Sequence, residues 1–394
     1  MRALLLALYG SERPEAGSAH EREWLCGQRQ TLAIAHQMRD GGNMAPLVAC
    51  RAASMLGQEL AADNLPTRHI DNDGFFTALG LCWQYRKHKK LVLLTIGQHG
   101  LALAARIRKL RALSGGRTLC VHAFFVSPPE ATPRNGRLLR QARHIIHGSE
   151  YLRLQLATAL GRADEDPALA ALPKSELTLL APGASWPAGV QATPYREGRF
   201  IVGMGAALGA RSGVRCVLKA LARLQTDDSA NAGLPPVELR LVGHGPRFDE
   251  ILQEATALGL QHQLAILDEQ PLADVLPHCH AWLAPGSAPD EAPETLACAL
   301  AAGLPVIAAN GLLHRERLGM RAGLPQPALL VQENDTEAWA NALRRVLLEA
   351  DLRQTLATQG RELWAELSIE HTTRTLCSLL EQWSGNHDWQ EAGK

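Results

Sequence analysis

Carboxylates crowd into one short stretch of the chain. In WLAPGSAPDEAPETLACALAAGLPVIAAN, from Trp282 to Asn310, Asp290, Glu291 and Glu294 stand among Pro285, Pro289 and Pro293, just ahead of a small, apolar run that closes on Gly303. Two chemistries are open to them. Either they cap the coming helix, whose dipole favours negative charge at its N-terminus, or their free oxygens accept hydrogen bonds from the hydroxyls of a polyol. A second stretch, FIVGMGAALGARSGV, is small and glycine-rich at Gly203, Gly205 and Gly209. Backbone N–H groups in such a loop suit a phosphate, or the glycines simply let a strand and a helix pack closely. In GHGP, Gly243 and His244 follow an apolar run and would sit where a parallel strand ends, although a turn there needs glycine anyway.

The elements that must position these groups follow from the pattern around them. Ala281–Ala284 is a short apolar strand. Glu294–Ala302 holds helix formers ended by the C-cap Gly303, and Pro305 starts the next strand. Upstream, strands are expected at Ala3–Leu8, Pro46–Cys50, Thr67–Ile70, Lys90–Ile96, Thr118–Phe125 and Arg143–Ile146, with helices at Trp24–Arg39, Ala53–Asp63, Phe75–His88, up to Leu113, and Tyr151–Leu160. The proline- and glycine-rich PGASWPAGVQATPYREG interrupts the alternation, which then restarts with strands at Phe200–Met204, Val237–Val242 and Leu264–Leu267 and helices at Val214–Leu224, Phe248–Leu258 and Leu272–His278. A strand at Ala328–Val331 and helices at Thr336–Glu349, Asp351–Glu366 and Ile369–Trp383 close the chain. Strands alternating with helices over short connections make right-handed βαβ units and parallel sheets. The division expected is 1–183, a linker at 184–198, 199–384 with a last helix that crosses back, and a tail at 385–394.

Composition bounds the function classes. The 394 residues carry 40 Lys+Arg against 40 Asp+Glu, which describes a globular protein and argues against nucleic acid as a partner. The N-terminal MRALLLALYG is too short to span a bilayer and lacks a small-x-small cleavage pattern, so it reads as a buried strand. Eight scattered cysteines without a CxxC pair point to reduced thiols and a cytoplasmic location, and no metal-ligand motif is spelled out.

From Phe200 to Trp383 the sequence resembles the C-terminal domain of retaining GT-B glycosyltransferases of the family 4 type (glycosyl transferases group 1). ELRLVGHGP, VLPHCHAWLAPGS, LACALAAGLPVIA and LLVQENDTEAWANALRRVLLEADLRQTLATQGRE are similar to its segments, in the same order. Residues 2–182 resemble its N-terminal domain more distantly. The resemblance implies an α/β GT-B fold of two doubly wound, Rossmann-like domains facing each other across a cleft. The C-terminal one would hold a nucleotide sugar, UDP- or GDP-linked, and the N-terminal one the acceptor, with no cofactor and no metal.

The resemblance also implies the site residues. The family pairs two glutamates with seven residues between them. The first falls on Asp290, with Glu291 beside it, and the second on Cys298, with Glu294 one turn earlier as a stand-in. Of the family's phosphate-binding Arg and Lys, the first falls on Ala206 or Ala207 and the second on Ser212, while Gly213 is kept and Arg211 lies next door. Gly17 matches a glycine pair near the donor phosphate, Gly205 belongs to the glycine-rich loop, and Gly243 and His244 should face the donor. His122 matches a histidine beside the transferred sugar.

The function implied is metal-independent, retaining transfer of a sugar to a saccharide or lipid-linked acceptor in cell-envelope polysaccharide synthesis. The alternative is a GT-B-shaped subunit that has lost donor chemistry and serves as a binding partner. Two basic clusters, Arg86, Lys87, Lys89 and Lys90 beside Trp83, and Arg106, Arg108, Lys109 and Arg111 beside Leu110, are either solvated helix faces or a peripheral membrane contact. Oligomeric state is not legible.

Overall fold

The computed structural model describes residues 2–8, 19–41, 44–51, 54–70, 74–126, 130, 132–159, 176–205, 213–226, 233–243, 247–267, 270–286, 293–319 and 326–385. They form two compact units, one built from residues 2–8, His20–Gly183 and 369–385, the other from Ala184–Ser368.

The first unit runs β1 (Arg2–Leu6), α1 (Ala19–Asp40), β2 (Ala45–Cys50), α2 (Met55–Ala62), β3 (Thr67–His69), α3 (Phe75–Gln84), β4 (Lys90–Ile96), α4 (Leu101–Leu113), β5 (Arg117–Phe124), α5 (Pro133–Leu139), β6 (His144–His147), α6 (Glu150–Ala159) and β7 (Glu176–Leu179). Its described strands form one parallel sheet in the order β3-β2-β1-β4-β5-β6-β7. β1, β4 and β5 are buried on both faces, as their continuous apolar runs require of a parallel sheet. The period of two then sorts side chains by face. Leu5, Val92, Leu94 and Val121 meet α1 and α2 on one side, while Leu4, Leu91, Leu93 and Cys120 meet α3 and α4 on the other.

The second unit runs β8 (Phe200–Gly205), α7 (Val214–Thr226), β9 (Val237–Val242), α8 (Phe248–Ala257), β10 (Leu264–Leu267), α9 (Leu272–Val275) with a 3-10 turn (Leu276–His278), β11 (Ala281–Ala284), α10 (Pro293–Ala301), β12 (Val306–Ala309), α11 (Leu312–Arg317), β13 (Ala328–Val331), α12 (Thr336–Leu348) and α13 (Ala350–Leu367). The parallel order is β10-β9-β8-β11-β12-β13. In both sheets the winding reverses beside the first strand, between β1 and β4 and between β8 and β11. Doubly wound sheets take ligands at the carboxyl ends of the strand pair where the winding reverses.

Two assignments differ from the sequence reading. The segment 184–198, expected as a linker, is hydrogen-bonded into the second unit: Ala192 N–H donates to the Ala302 carbonyl at 2.8 Å and Thr193 N–H to that of Pro277 at 3.0 Å. The helix expected to cross back, α14 (Ile369–Gly385), belongs to the first unit, where Leu376, Leu380 and Trp383 enter its core. The second difference is helix α3, which stops at Gln84 rather than His88. The buried Arg111 explains the stop: its guanidinium takes the carbonyls of Tyr85 (3.1 Å) and His88 (2.7 Å) and holds that segment as a turn.

Candidate functional site

At the winding reversal of the second unit, β8 ends on Gly205 and β11 ends on Ala284, followed by Pro285 and Gly286. Both strands feed helices, α7 and α10. The local sequence explains how closely these parts approach. A Cβ on Gly205 would lie 3.0 Å from Thr295 Cγ2 and 3.1 Å from the Trp282 ring, so the first turn of α10 rests directly on the end of β8. A Cβ on Gly213 would lie 2.7 Å from the Pro285 ring, and Gly213 has φ +68°, a left-handed conformation that side chains resist. Glycine at 213 therefore brings the start of α7 against the loop that leaves β11. Two helix starts thus approach the carboxyl ends of two neighbouring central strands, an arrangement whose helix dipoles favour an anion.

Other expected residues fall around this point. Gly243 follows β9 with φ 147°, and its N–H donates to the Leu267 carbonyl at 3.3 Å. Glu294 sits half-buried in the first turn of α10. Cys298, one turn on, is buried, and its thiol donates to the Ser185 carbonyl at 3.6 Å. At the position of the family's second glutamate the side chain therefore faces the 184–198 segment and the apolar packing under α10. Asp290, Glu291, Arg211, Ser212, His244 and Gly17 lie outside the described residues, as do Ala206 and Ala207. Among the described residues no group of three His, Cys, Asp or Glu side chains is placed to hold a metal ion.

His122 belongs to the first unit and lies inside a strand. β5 continues two residues beyond it, to Phe124, and the side chain is 1% exposed. It pairs in register with Thr95 of β4, whose hydroxyl hydrogen-bonds its Nδ1, and its Nε2 lies 4.0 Å from the Cys120 thiol. Burial pushes its pKa down to about 3, against the carbonyls of Val121 and Leu138, which favour the proton. The imidazole is neutral at ordinary pH and has no face to solvent.

Sequence reasoning did not single out Thr295, Pro285 or Ser185. Their roles are steric or through backbone, which residue type does not advertise. Gly203 likewise serves packing, since a Cβ there would lie 2.6 Å from the Trp282 ring.

Residues 190–363 match the family described as glycosyl transferases group 1. Among solved structures, a glycosyltransferase from Rickettsia africae ESF-5 is similar with TM-score 0.73 at 14% identity, covering 98% of this chain and 99% of that one. Alr3699/HepE of Anabaena, solved in complex with UDP, is similar with TM-score 0.67 at 17% identity over 97% and 100% of the two chains. The lipopolysaccharide outer core galactosyltransferase WaaB follows with TM-score 0.66 at 11% identity over 97% and 99%. A comparison with curated proteins finds no match. At these identities the structural likeness shows the fold: two parallel α/β sheets with their helices, as in GT-B glycosyltransferases.

Proposed function

Taking the match of residues 190–363 to the glycosyl transferases group 1 as premise, we propose that this protein is a retaining, metal-independent glycosyltransferase. The donor is a UDP- or GDP-linked sugar, and no cofactor takes part. Alr3699/HepE of Anabaena has been solved with UDP and with UDP-glucose, which favours a uridine donor. The acceptor is a saccharide or lipid-linked saccharide of the cell envelope, reached from the cytoplasmic side. The observation that carries the reading is the approach of the α7 and α10 starts to the ends of β8 and β11, where Gly205 packs against Thr295 and Gly213 against Pro285. Diphosphate charge suits that place, because oriented N–H dipoles stabilise it without reorganising during the reaction.

The protein's part in the transfer is to position groups and stabilise charge. Arg211 neutralises the departing diphosphate, assisted by the Ser212 hydroxyl and by N–H groups around Gly213. Asp290 and Glu291 accept hydrogen bonds from hydroxyls of the transferred sugar, and Glu294 does so from the ribose. A donor phosphate oxygen, freed as the glycosidic C–O bond breaks, takes the acceptor's proton. His122 stays a positioning residue within the first unit.

Titration with UDP- and GDP-sugars, reading nucleoside diphosphate release with and without EDTA, tests the proposal. Release is expected to survive EDTA and to fall at least 100-fold in Arg211→Ala and Asp290→Ala, since each removes a charge-assisted contact of the transition state. The burial of Cys298 where the family places a glutamate favours a second reading, a partner subunit without donor chemistry. That reading requires that no donor is bound or cleaved, and micromolar binding of UDP lost in Arg211→Ala sinks it.

A further inference from the structure

A cavity of about 520 Å³ opens at the amino ends of β1 and β2, at the edge of the first sheet opposite to the carboxyl ends where doubly wound folds take ligands. Local sequence accounts for it. Pro46 has no N–H to offer a neighbouring strand, and β3 pairs with β2 only from Val48 and Thr67 onward. Ala45 to Leu47 therefore lack a strand partner on that side, where the chain turns through Asn64 in a left-handed conformation, φ 53°. The walls are fixed from outside. Arg39 donates to the Asp63 carbonyl at 3.1 Å, tying the end of α1 to the turn after α2, and the buried Arg111 takes the carbonyls of Tyr85 and His88.

The lining divides into an apolar floor and a rim of donors. Pro46, Leu47 and the Tyr85 ring are buried, whereas Arg2 and Gln84 are exposed. The Tyr85 side chain is 4% exposed, yet its hydroxyl reaches only the Ala3 carbonyl, at 3.5 Å, against a usual O–H···O distance of about 2.7–2.8 Å. It remains a donor, because burial pushes its pKa up to about 12 while Arg2 and Arg111 pull the other way. Asp40 is paired with Arg39 and Asp63 with His36, and among the described residues no carboxylate pairs with Arg2. An uncompensated guanidinium and a poorly satisfied buried hydroxyl over an apolar floor suit an anion joined to a flat apolar group. The volume lies within the roughly 300–1,000 Å³ of small-molecule sites.

We propose that this cavity binds a small organic anion, a phosphate or carboxylate carried on a ring. Arg2 takes the anion, the Tyr85 hydroxyl donates to it, and the ring lies against Pro46 and Leu47. Such an occupant joins the starts of β1 and β2 to the segment after α3, so it also stabilises the first unit. The inference stands apart from the transferase reading, since the cavity lies at the other edge of the strands from a doubly wound sheet's ligand site.

Ligand-observed NMR titration of the full chain with phenyl phosphate and with phenylacetate tests it, with inorganic phosphate and benzyl alcohol as the separated halves. At least one ring anion should bind at about 1 mM or tighter, the scale for a ligand of this size, and the tighter of the two identifies the head group. Each half alone should bind at least about tenfold more weakly, as should the ring anion to Arg2→Gln, which removes the charge-assisted contact. Gln84→Trp places a large ring at an exposed position of the rim and should abolish binding, with an unchanged melting profile showing that the chain is folded. Saturating UDP should leave the affinity as it was. Absence of binding by both ring anions overturns the proposal, and so does unchanged affinity in either variant. Inorganic phosphate binding as tightly as phenyl phosphate overturns it as well, since a surface guanidinium alone would then be at work. Displacement by UDP assigns the anion to the donor site and overturns it too.

Discussion

His122 makes the first unit sensitive to acid. Its pKa falls from the ordinary 6.5 to about 3 because burial disfavours the imidazolium. Between those values the unfolded chain binds a proton that the folded chain refuses. Stability from this group is therefore present above pH 6.5 and is lost as pH falls, at about 1.4 kcal/mol per unit. His147 and His280 shift the same way by burial, so the informative quantity is a difference between variants. Urea midpoints from pH 7.5 to 5 should fall less steeply in His122→Gln than in the native chain, by one proton's worth of slope. Equal slopes would mean that the folded state protonates His122 after all. The resemblance places His122 beside a transferred sugar. The register with Thr95 and the cover from α5 give it instead a buried hydrogen bond, and neither is legible without the sheet.

Glycines of the β8 region separate two kinds of constraint. Gly203 faces the Trp282 ring and the Cys279 thiol, 2.6 and 2.8 Å from where a Cβ would sit, inside a core that cannot yield cheaply. Gly203→Ala should cost about 1–3 kcal/mol, the usual penalty of overpacking, and leave nucleotide affinity unchanged. Gly213→Ala should cost about 1–2 kcal/mol for the left-handed φ and also displace Pro285, so nucleotide affinity should fall about tenfold or more. Denaturation and calorimetric titration of both variants check this, and equal losses of affinity would detach Gly213 from the site. At this scale much was legible. Lys90–Ile96, Val237–Val242 and Ala281–Ala284 are strands with the expected bounds, because long apolar runs between turn residues leave little choice. Helix α5 was not. Its seven residues include Gly136 and are fixed by the Thr132 cap on Asn135 N–H and by burial of Leu139, not by periodicity. The four-residue β7 exists through pairing with β6, a tertiary fact.

The two units differ in how the sequence announces them. Prolines and glycines at 184–198 read as a linker, yet backbone hydrogen bonds tie that segment into the second unit, and composition does not reveal what a loop leans on. The apolar stripe of α14 shows only that it packs on some sheet; its crossing back is an expectation from the resemblance. It packs on the first: Leu376, Cys377, Leu380 and Trp383 are buried in that core, Trp383 stacks on His144 at 3.9 Å, and Thr372 donates to the Ala181 carbonyl at 3.1 Å. Burying each such side chain stabilises by about 1.5–3 kcal/mol, so together they rival the roughly 5–15 kcal/mol that holds a domain folded. A chain ending at Ser368 should therefore lose amide protection throughout the first sheet and bind a hydrophobic dye, while 184–368 stays protected. Trp383→Ala, at about 3–5 kcal/mol, should loosen the first unit in the same direction. Hydrogen exchange resolves the two units separately. Native protection of β1, β4 and β5 in the truncated chain would show that the first core closes without its C-terminal helix.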